Sequence, residues 1–108
     1  MFLNVLIFYA FNKNGGNKMK REIVCAVDGD TIKTKRKIDG TNYVRLAGVD
    51  APEKGQKGYE FAKRRLNTLI KGKSVSIVQK AKDKYGRVVA DVRLGHKKIN
   101  CQSKFGGW

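Results

Sequence analysis

Short apolar runs, and segments in which apolar and polar residues alternate with a period of two, occur along most of the chain. This period of two is typical of β-strands, because successive side chains of a strand point to opposite faces of its sheet. Asp28-Gly29-Asp30 and Asp39-Gly40 follow two of these segments as turn signals, and Pro52 stops strand pairing after a third. The pattern predicts five strands, at residues 23–27, 31–35, 43–49, 75–78 and 88–94.

Between the third and fourth predicted strands the apolar period becomes that of a helix, from Gln56 to Ile70. One face of this helix is apolar, with residues at i, i+4, i+7 and i+8: Ala62, Leu66, Leu69 and Ile70. Gly72 is well placed as the residue just beyond the helix end. Three strands, a helix and two strands is the order of an OB-fold. We therefore expect a mainly β domain with one to two helices, built on a five-stranded OB-fold β-barrel.

The start of the chain differs from the rest. Residues 1–11 form an apolar run that is too short to span a bilayer as a helix, and residues 12–18 have the composition of a flexible linker. The expected division is therefore an N-terminal segment at 1–18 and one OB-fold domain at 19–108. The apolar run is interpreted as a signal or anchor, as an extension upstream of a start at Met19, or as a strand packed on the domain. A signal would make the protein secreted or periplasmic and an anchor would give membrane contact; otherwise we expect a cytoplasmic protein.

Charge points to the kind of partner. The 108 residues contain 24 Lys and Arg but only 9 Asp and Glu, which gives a net charge of +15. So large an excess favours a polyanion, either a nucleic acid or an anionic membrane surface. Cys25 and Cys101 form no CxxC pattern and His96 is the only histidine, which argues against a zinc site, a Cys–His pair and a Ser–His–Asp triad. Any chemistry must rest on carboxylates, arginine, lysine and tyrosine.

Three segments at predicted strand ends concentrate such residues, at 27–31, 45–53 and 83–87. Two carboxylates and a main-chain carbonyl suit a hard, oxygen-preferring cation. Two arginines suit the negative charge on a phosphorus centre under attack, and a further carboxylate could orient or deprotonate a water molecule. Each segment alone is typical of a turn or loop, so only their combination favours a catalytic site.

In this order and spacing the segments resemble the staphylococcal nuclease, or thermonuclease, family. The resemblance rests on Asp-Gly-Asp-Thr, then Arg-Leu-x-x-Val-Asp-x-Pro-Glu, then Asp-Lys-Tyr-Gly-Arg, and it extends from about Glu22 to Leu94. It implies a calcium-dependent nuclease that hydrolyses DNA and RNA at the P–O5′ bond and leaves 3′-phosphate ends. No obligate protein partner is implied.

The resemblance also assigns a metal site. Asp30 and Asp50 are similar to the two carboxylate ligands of calcium, and Ala51 to the residue that supplies a main-chain carbonyl. The family often has Thr at that position, but a carbonyl ligand does not need the hydroxyl. Glu53 resembles the residue assigned to activating or positioning the attacking water.

The basic and aromatic residues of the motifs are assigned in the same way. Arg45 and Arg87 resemble the pair that holds the scissile phosphate. Lys84 and Tyr85 resemble contacts to the terminal phosphate of a bound nucleotide.

The chain departs from the family pattern after the fifth strand. Residues 99–108 are interpreted as a degraded start of the family's next helix, so we expect a C-terminally shortened barrel that lacks a later helix and the tyrosines that stack on the substrate base. Two alternatives to an active nuclease stay open. One is a non-catalytic OB module that binds single strands, and the other is a truncated, inactive nuclease homologue.

Overall fold

The fold is a small β-barrel with one long helix and one short one, seen in a computed structural model that describes residues 18–102. The elements are β1 (Lys18–Ala26), β2 (Thr31–Ile38), β3 (Thr41–Leu46), α1 (Tyr59–Ile70), β4 (Ser74–Lys82), β5 (Val88–Leu94), β6 (Lys97–Lys98) and α2 (Ile99–Gln102). The predictions of a signal, anchor or linker at the N-terminus lie outside the described residues, except at Lys18. Within the described residues, no helix has the length and apolar character needed to cross a membrane.

Pairing of β3 with β5 closes the sheet. Neighbouring strands follow the order β3-β2-β1-β4-β5-β6, and all these pairs are antiparallel. The additional β3–β5 pair is parallel, with Val44 opposite Val88 and Arg45 opposite Val89. A closed five-stranded barrel results, which confirms the predicted fold class. The two-residue strand β6 is an addition that the sequence pattern did not predict.

The barrel interior follows from strand alternation. In β3, Val44 and Leu46 are fully buried, whereas the alternate residues Tyr43 and Arg45 face outward. The helix α1 buries the predicted face against the same core, with Leu66 at its centre. Burying one such side chain stabilises the fold by about 1.5–3 kcal/mol, so the alternating apolar positions account for the choice of inner face.

The first strand begins earlier than predicted. Residues 18–22 are mostly charged and gave no apolar signal, yet they pair with β4 from Lys18 opposite Val78 to Glu22 opposite Ser74. An antiparallel partner supplies the backbone hydrogen bonds that local sequence does not reveal. The predicted start at Ile23 was therefore wrong by five residues.

The helix begins later and β3 ends earlier than predicted. Gly58, directly before α1, has a φ of 89°, a left-handed conformation that interrupts any helix from Gln56. Leu46 ends β3 instead of Val49, because Gly48 turns the chain with a φ of 76°. The prediction for Gly72 is confirmed, since its φ is 75° immediately beyond the helix.

A buried asparagine ties the C-terminal end of the described chain to the barrel. The Asn100 side chain lies in α2, is 3% exposed and makes three hydrogen bonds. Its Oδ1 accepts from the N–H of Val92 at 2.8 Å, and its Nδ2 donates to the carbonyls of Ala47 at 2.8 Å and Ala90 at 3.1 Å. One amide thus connects α2 with β5 and with the segment that follows β3. Both cysteines, Cys25 and Cys101, are free thiols.

We predict that Asn100→Ala lowers the free energy of unfolding by about 2–3 kcal/mol, because it leaves buried backbone groups without partners. Urea denaturation at neutral pH measures the change. Asn42→Ala is the matched control, since its half-buried side chain donates one hydrogen bond, to Thr34, and should cost about 1 kcal/mol or less. Equal losses in the two variants would contradict the role given to Asn100.

Candidate active site

Six of the eight predicted site residues line one cavity of about 320 Å³. The cavity is lined by Asp28, Asp30, Arg45, Asp50, Ala51, Pro52, Glu53 and Arg87. These residues come from the β1–β2 turn, from β3, from the loop before α1 and from the position just before β5. Residues that are distant in sequence therefore meet at one place, as the three motifs led us to expect.

The β1–β2 turn holds the first carboxylate in place. The Oδ1 atom of Asp28 accepts the N–H of Asp30 at 3.1 Å, and the carbonyl of Asp30 accepts the N–H of Leu46 at 2.8 Å. Gly29 lies between these aspartates with almost no free space, because a Cβ there would be 2.7 Å from the Cβ atoms of both Ala51 and Ala62. Only glycine lets the turn approach the loop and the helix this closely.

Each of the two arginines is held by its own carboxylate. The Nη2 atom of Arg45 lies 3.3 Å from Oδ2 of Asp30. The Nε atom of Arg87 lies 2.7 Å from Oδ2 of Asp83, whose other oxygen accepts the N–H of Arg87 at 2.9 Å. These pairs fix the direction of both guanidinium groups, whose remaining N–H donors can bind a further anion.

The Thr31 hydroxyl connects the two arginines through Asp30. It accepts from Nη1 of Arg87 at 3.3 Å and donates to Oδ1 of Asp30 at 3.0 Å. The side chain is only 2% exposed, so little water competes for these contacts. A continuous path of hydrogen bonds therefore runs from Arg87 through Thr31 and Asp30 to Arg45.

The pKa of Asp30 is raised above its ordinary value by burial, and then by the hydrogen bond with Asp28 and the charge of that neighbour. Arg45 and Thr31 act in the opposite direction but do not cancel the rise. Because the folded pKa lies above the unfolded one, Asp30 favours the fold most at low pH and loses that contribution as the pH rises through the folded pKa.

Asp83 shows the opposite balance. Burial acts to raise its pKa, but hydrogen bonds from the backbone and side chain of Arg87 and from the N–H of Tyr85 hold the pKa below its ordinary value. The stability that this ionised carboxylate provides is therefore present above the ordinary pKa of aspartate and is lost as the pH falls through the lowered value.

The loop before α1 presents Asp50 and Glu53 to solvent. The Oε1 atom of Gln56 accepts the N–H of Glu53 at 2.7 Å, and the carbonyl of Glu53 accepts the N–H of Gln56 at 2.8 Å. This reciprocal pair fixes the backbone at Glu53 while its carboxylate faces the cavity.

Lys84 and Tyr85 are not among the cavity-lining residues and lie beside them, in the β4–β5 turn. Tyr85 is 72% exposed, and its ring centroid lies 5.3 Å from both Nζ of Lys84 and Cζ of Arg87. The turn therefore places an accessible aromatic ring and a lysine next to the Arg87 guanidinium.

The donor set fits a hard cation only in part. Across residues 18–102, no group of three or more Asp, Glu, His or Cys side chains is arranged to hold a metal ion. Asp30 and Asp50 nevertheless line the same cavity as Ala51, and these three residues offer oxygen donors alone. Burial and the neighbouring Asp28 raise the pKa of Asp30, and a cation beside Asp30 would favour its ionised form. Such an ion would take its other ligands from water or from a bound anion.

Sequence reasoning missed the residues that support the site. Asp28, Thr31 and Asp83 lie inside the quoted motifs but were given no role in the site, and Gln56 lies just beyond them. The available signal was the aspartate that precedes each turn, because such a side chain commonly bonds to the backbone two residues on.

Comparison with known proteins gives one family. Residues 43–103, more than half of the chain, match the model of the family described as Staphylococcal nuclease homologue. This match includes every predicted site residue except Asp30, which precedes it.

Individual relatives extend the similarity. An uncharacterized endonuclease of Haemophilus influenzae is 35% identical over 98 residues, covering 91% of this chain and 55% of that protein. The micrococcal nuclease of Shigella flexneri is 41% identical over 71 residues, covering 66% of this chain and 40% of that protein. The thermonuclease of Staphylococcus hyicus is 29% identical over 104 residues, covering 86% and 59%. The chain thus spans about half the length of these relatives.

We predict that Thr31→Val lowers the free energy of unfolding by about 1.5–3 kcal/mol, because the partly buried Asp30 carboxylate and the Arg87 guanidinium both lose a charge-assisted partner. Thr31→Ser keeps the hydroxyl and is the control, with a loss of about 1 kcal/mol from the missing methyl group. Chemical denaturation of all three proteins at neutral pH makes the comparison. If the valine variant matched the wild type in stability, the hydroxyl would not be the bridge described above.

Proposed function

The chain belongs to the family of staphylococcal nuclease homologues, and on that basis we propose that it is a calcium-dependent nuclease. In this proposal it hydrolyses phosphodiester bonds of DNA and RNA and leaves 3′-phosphate ends. The observation that carries the proposal is the single cavity shared by two arginines, three aspartates and Glu53. A phosphodiester bound together with a divalent cation is the ligand for which this set of charges is suited, because the arginines bind the phosphate and the carboxylates bind the cation.

The net charge of +15 supports a nucleic acid as the substrate. Neutralising phosphates with lysine and arginine releases condensed counterions, and this release drives binding without regard to base sequence. Lys84 and Tyr85, beside the cavity, are proposed to contact the substrate at a neighbouring phosphate.

Arg45 and Arg87 are proposed to hold the non-bridging oxygens of the scissile phosphate. Both guanidinium groups are already oriented by carboxylates, at 3.3 Å from Asp30 and 2.7 Å from Asp83. Preorganised donors stabilise the charge that develops in the transition state without a cost of reorientation at the moment of reaction. The Thr31 hydroxyl holds the two guanidinium groups in fixed positions relative to each other.

Asp30, Asp50 and the Ala51 carbonyl are proposed to hold calcium. When bound, the ion would supply positive charge against the negative charge that builds up on the phosphate. Two carboxylates are few for a calcium site, so substrate oxygens and water must complete the ligand set. Metal affinity should accordingly rise when substrate is present.

Glu53 is proposed to orient the attacking water and to accept its proton. The water oxygen then bonds to phosphorus, the P–O5′ bond breaks, and the 5′-oxygen takes a proton from bulk water, to which Glu53 afterwards returns the proton that it accepted. One water is consumed, and the phosphate stays on the 3′-oxygen. Arg45 and Arg87 remain protonated throughout, because guanidinium groups do not lose their proton in proteins.

We predict cleavage of single-stranded DNA that is strong in calcium, weak in magnesium and absent in excess chelator. Calcium tolerates an irregular set of oxygen ligands, whereas magnesium demands near-ideal octahedral geometry and releases its waters reluctantly. Gel assays with end-group analysis measure both the rate and the bond that is cut. Asp30→Asn should weaken the calcium response more than it weakens DNA binding. Binding without cleavage in any metal would support the non-catalytic module instead, and equal rates in both metals would exclude the proposed ligand set.

We predict that Arg87→Lys lowers kcat by about 100-fold or more, because a point charge cannot replace a two-pronged contact to the transition state. Arg93→Lys is the matched control, since Arg93 is an exposed arginine near the end of β5 and does not line the cavity. Single-turnover kinetics on a defined oligonucleotide separate the chemical step from binding. Near-normal turnover by Arg87→Lys would contradict the proposal that Arg87 holds the scissile phosphate.

A further inference from the structure

Tyr43 is an exposed aromatic residue on the outer face of β3. Its side chain is 41% exposed, and it alternates with the buried residue Val44. Alternation along the strand puts Tyr43 on the same outer face as Arg45, two residues further on. Two residues along a strand correspond to about 7 Å, so the ring lies next to the cavity rather than in it.

The neighbouring strands place cations around this ring. Lys33 of β2 is the direct partner of Tyr43, just as Thr31 is the partner of Arg45. On the other side, the parallel register that pairs Val44 with Val88 brings Arg87, one residue before β5, next to the position of Tyr43. Tyr43 therefore lies between a lysine and one of the two site arginines.

The contacts within residues 18–102 give the Tyr43 ring no structural role. No side chain there hydrogen-bonds to its hydroxyl and no cation lies over its face, and it is not part of the core. Tyr85, on the far side of Arg87, instead contacts both Lys84 and Arg87 through its ring. An aromatic surface is thus left open to solvent at the edge of the cavity that contains Arg45 and Arg87.

We infer that Tyr43 is a stacking platform for one base of a single-stranded nucleic acid whose backbone passes over Lys33 into the cavity. The inference rests on the proposed function, because it assumes that a phosphodiester occupies the site. Tyr43 then holds a base beside Arg87, while Tyr85 keeps its proposed contact with a neighbouring phosphate. A base in a duplex is already stacked on its neighbours, so its face is available to Tyr43 only in a single strand or a locally opened one.

The place of Tyr43 in the fold agrees with this inference. The outer face formed by strands β2 and β3 is the surface through which OB-folds commonly bind oligonucleotides. Aromatic rings on such a face bind bases with little sequence preference, because every base has a π-face. Lys33 adds the charge that tracks the backbone, and its side chain is only half exposed, which restricts where it can reach.

The first test measures binding in excess chelator, where no cleavage is expected. A labelled single strand of about 12 nucleotides, within the range covered by one OB-fold, is titrated with each variant by fluorescence anisotropy. Tyr43→Ala should weaken binding about 10-fold, whereas Tyr43→Phe should bind like the wild type, because stacking needs the ring and not the hydroxyl. Phe61→Ala removes an exposed aromatic residue from α1 and is the matched control, expected to change little.

The second test locates the base. One abasic position is moved along the oligonucleotide, and the wild type should lose affinity most at one position on the Tyr43 side of the phosphate held by Arg87. Tyr43→Ala should show no additional loss at that position. The salt dependence separates the two neighbours: Lys33→Met should reduce the slope of log K against log salt by about 0.7, and Tyr43→Ala should leave it unchanged.

The outcomes distinguish this inference from the proposed function. Equal affinity of Tyr43→Ala and the wild type, with calcium-dependent cleavage intact, would overturn the stacking role alone. A weakened Tyr43→Ala variant in a protein that cleaves nothing would retain the stacking role and remove the nuclease proposal. A phenylalanine variant as weak as the alanine variant would also overturn the inference, because the hydroxyl would then be the important group.

Discussion

The parallel pairing of β3 with β5 is the interaction on which the rest of this molecule depends. Without it the sheet would be an open ribbon, and Arg45 and Arg87, at the ends of these two strands, would not share a cavity. The pairing joins segments that are far apart in sequence, so its loop-closure entropy must be offset by the core that the closed barrel creates. Val44 and Val88, opposite each other and fully buried, are part of that core.

Around this closure the charges are arranged as one connected system rather than as separate residues. Asp83 and Asp30 each orient an arginine, and the buried hydroxyl of Thr31 joins the two pairs. The arrangement does not maximise the stability of the unliganded protein, because the pKa of Asp30 is raised by burial and by its neighbour Asp28. Perturbed carboxylates of this kind are commonly found at functional sites, where a bound ligand supplies the compensating positive charge.

The sequence predicted the parts of the structure that local pattern controls. Apolar runs and apolar–polar alternation identified the five barrel strands, and the 3.6-residue period identified the buried face of α1. Polar residues 18–22 gave no such signal, because they become a strand only through pairing with β4. The cavity residues came from motif order, but the Arg87–Thr31 contact joins two motifs and exists only in the folded barrel. Metal binding and the catalytic roles depend on ligands that no local pattern describes.

The close packing at Gly29 has a mechanical consequence. Its backbone leaves no slack between the turn that carries Asp30, the loop that carries Asp50 and the helix residue Ala62. Dense interiors transmit displacement instead of absorbing it. The separation of the Asp30 and Asp50 carboxylates therefore depends partly on the position of α1. That position is fixed by the packing of Leu66, which lies one turn beyond Ala62 and is fully buried. The spacing of Asp30 and Asp50 is thus adjustable from the hydrophobic core, by resizing Leu66, which lies outside the cavity that these two carboxylates line.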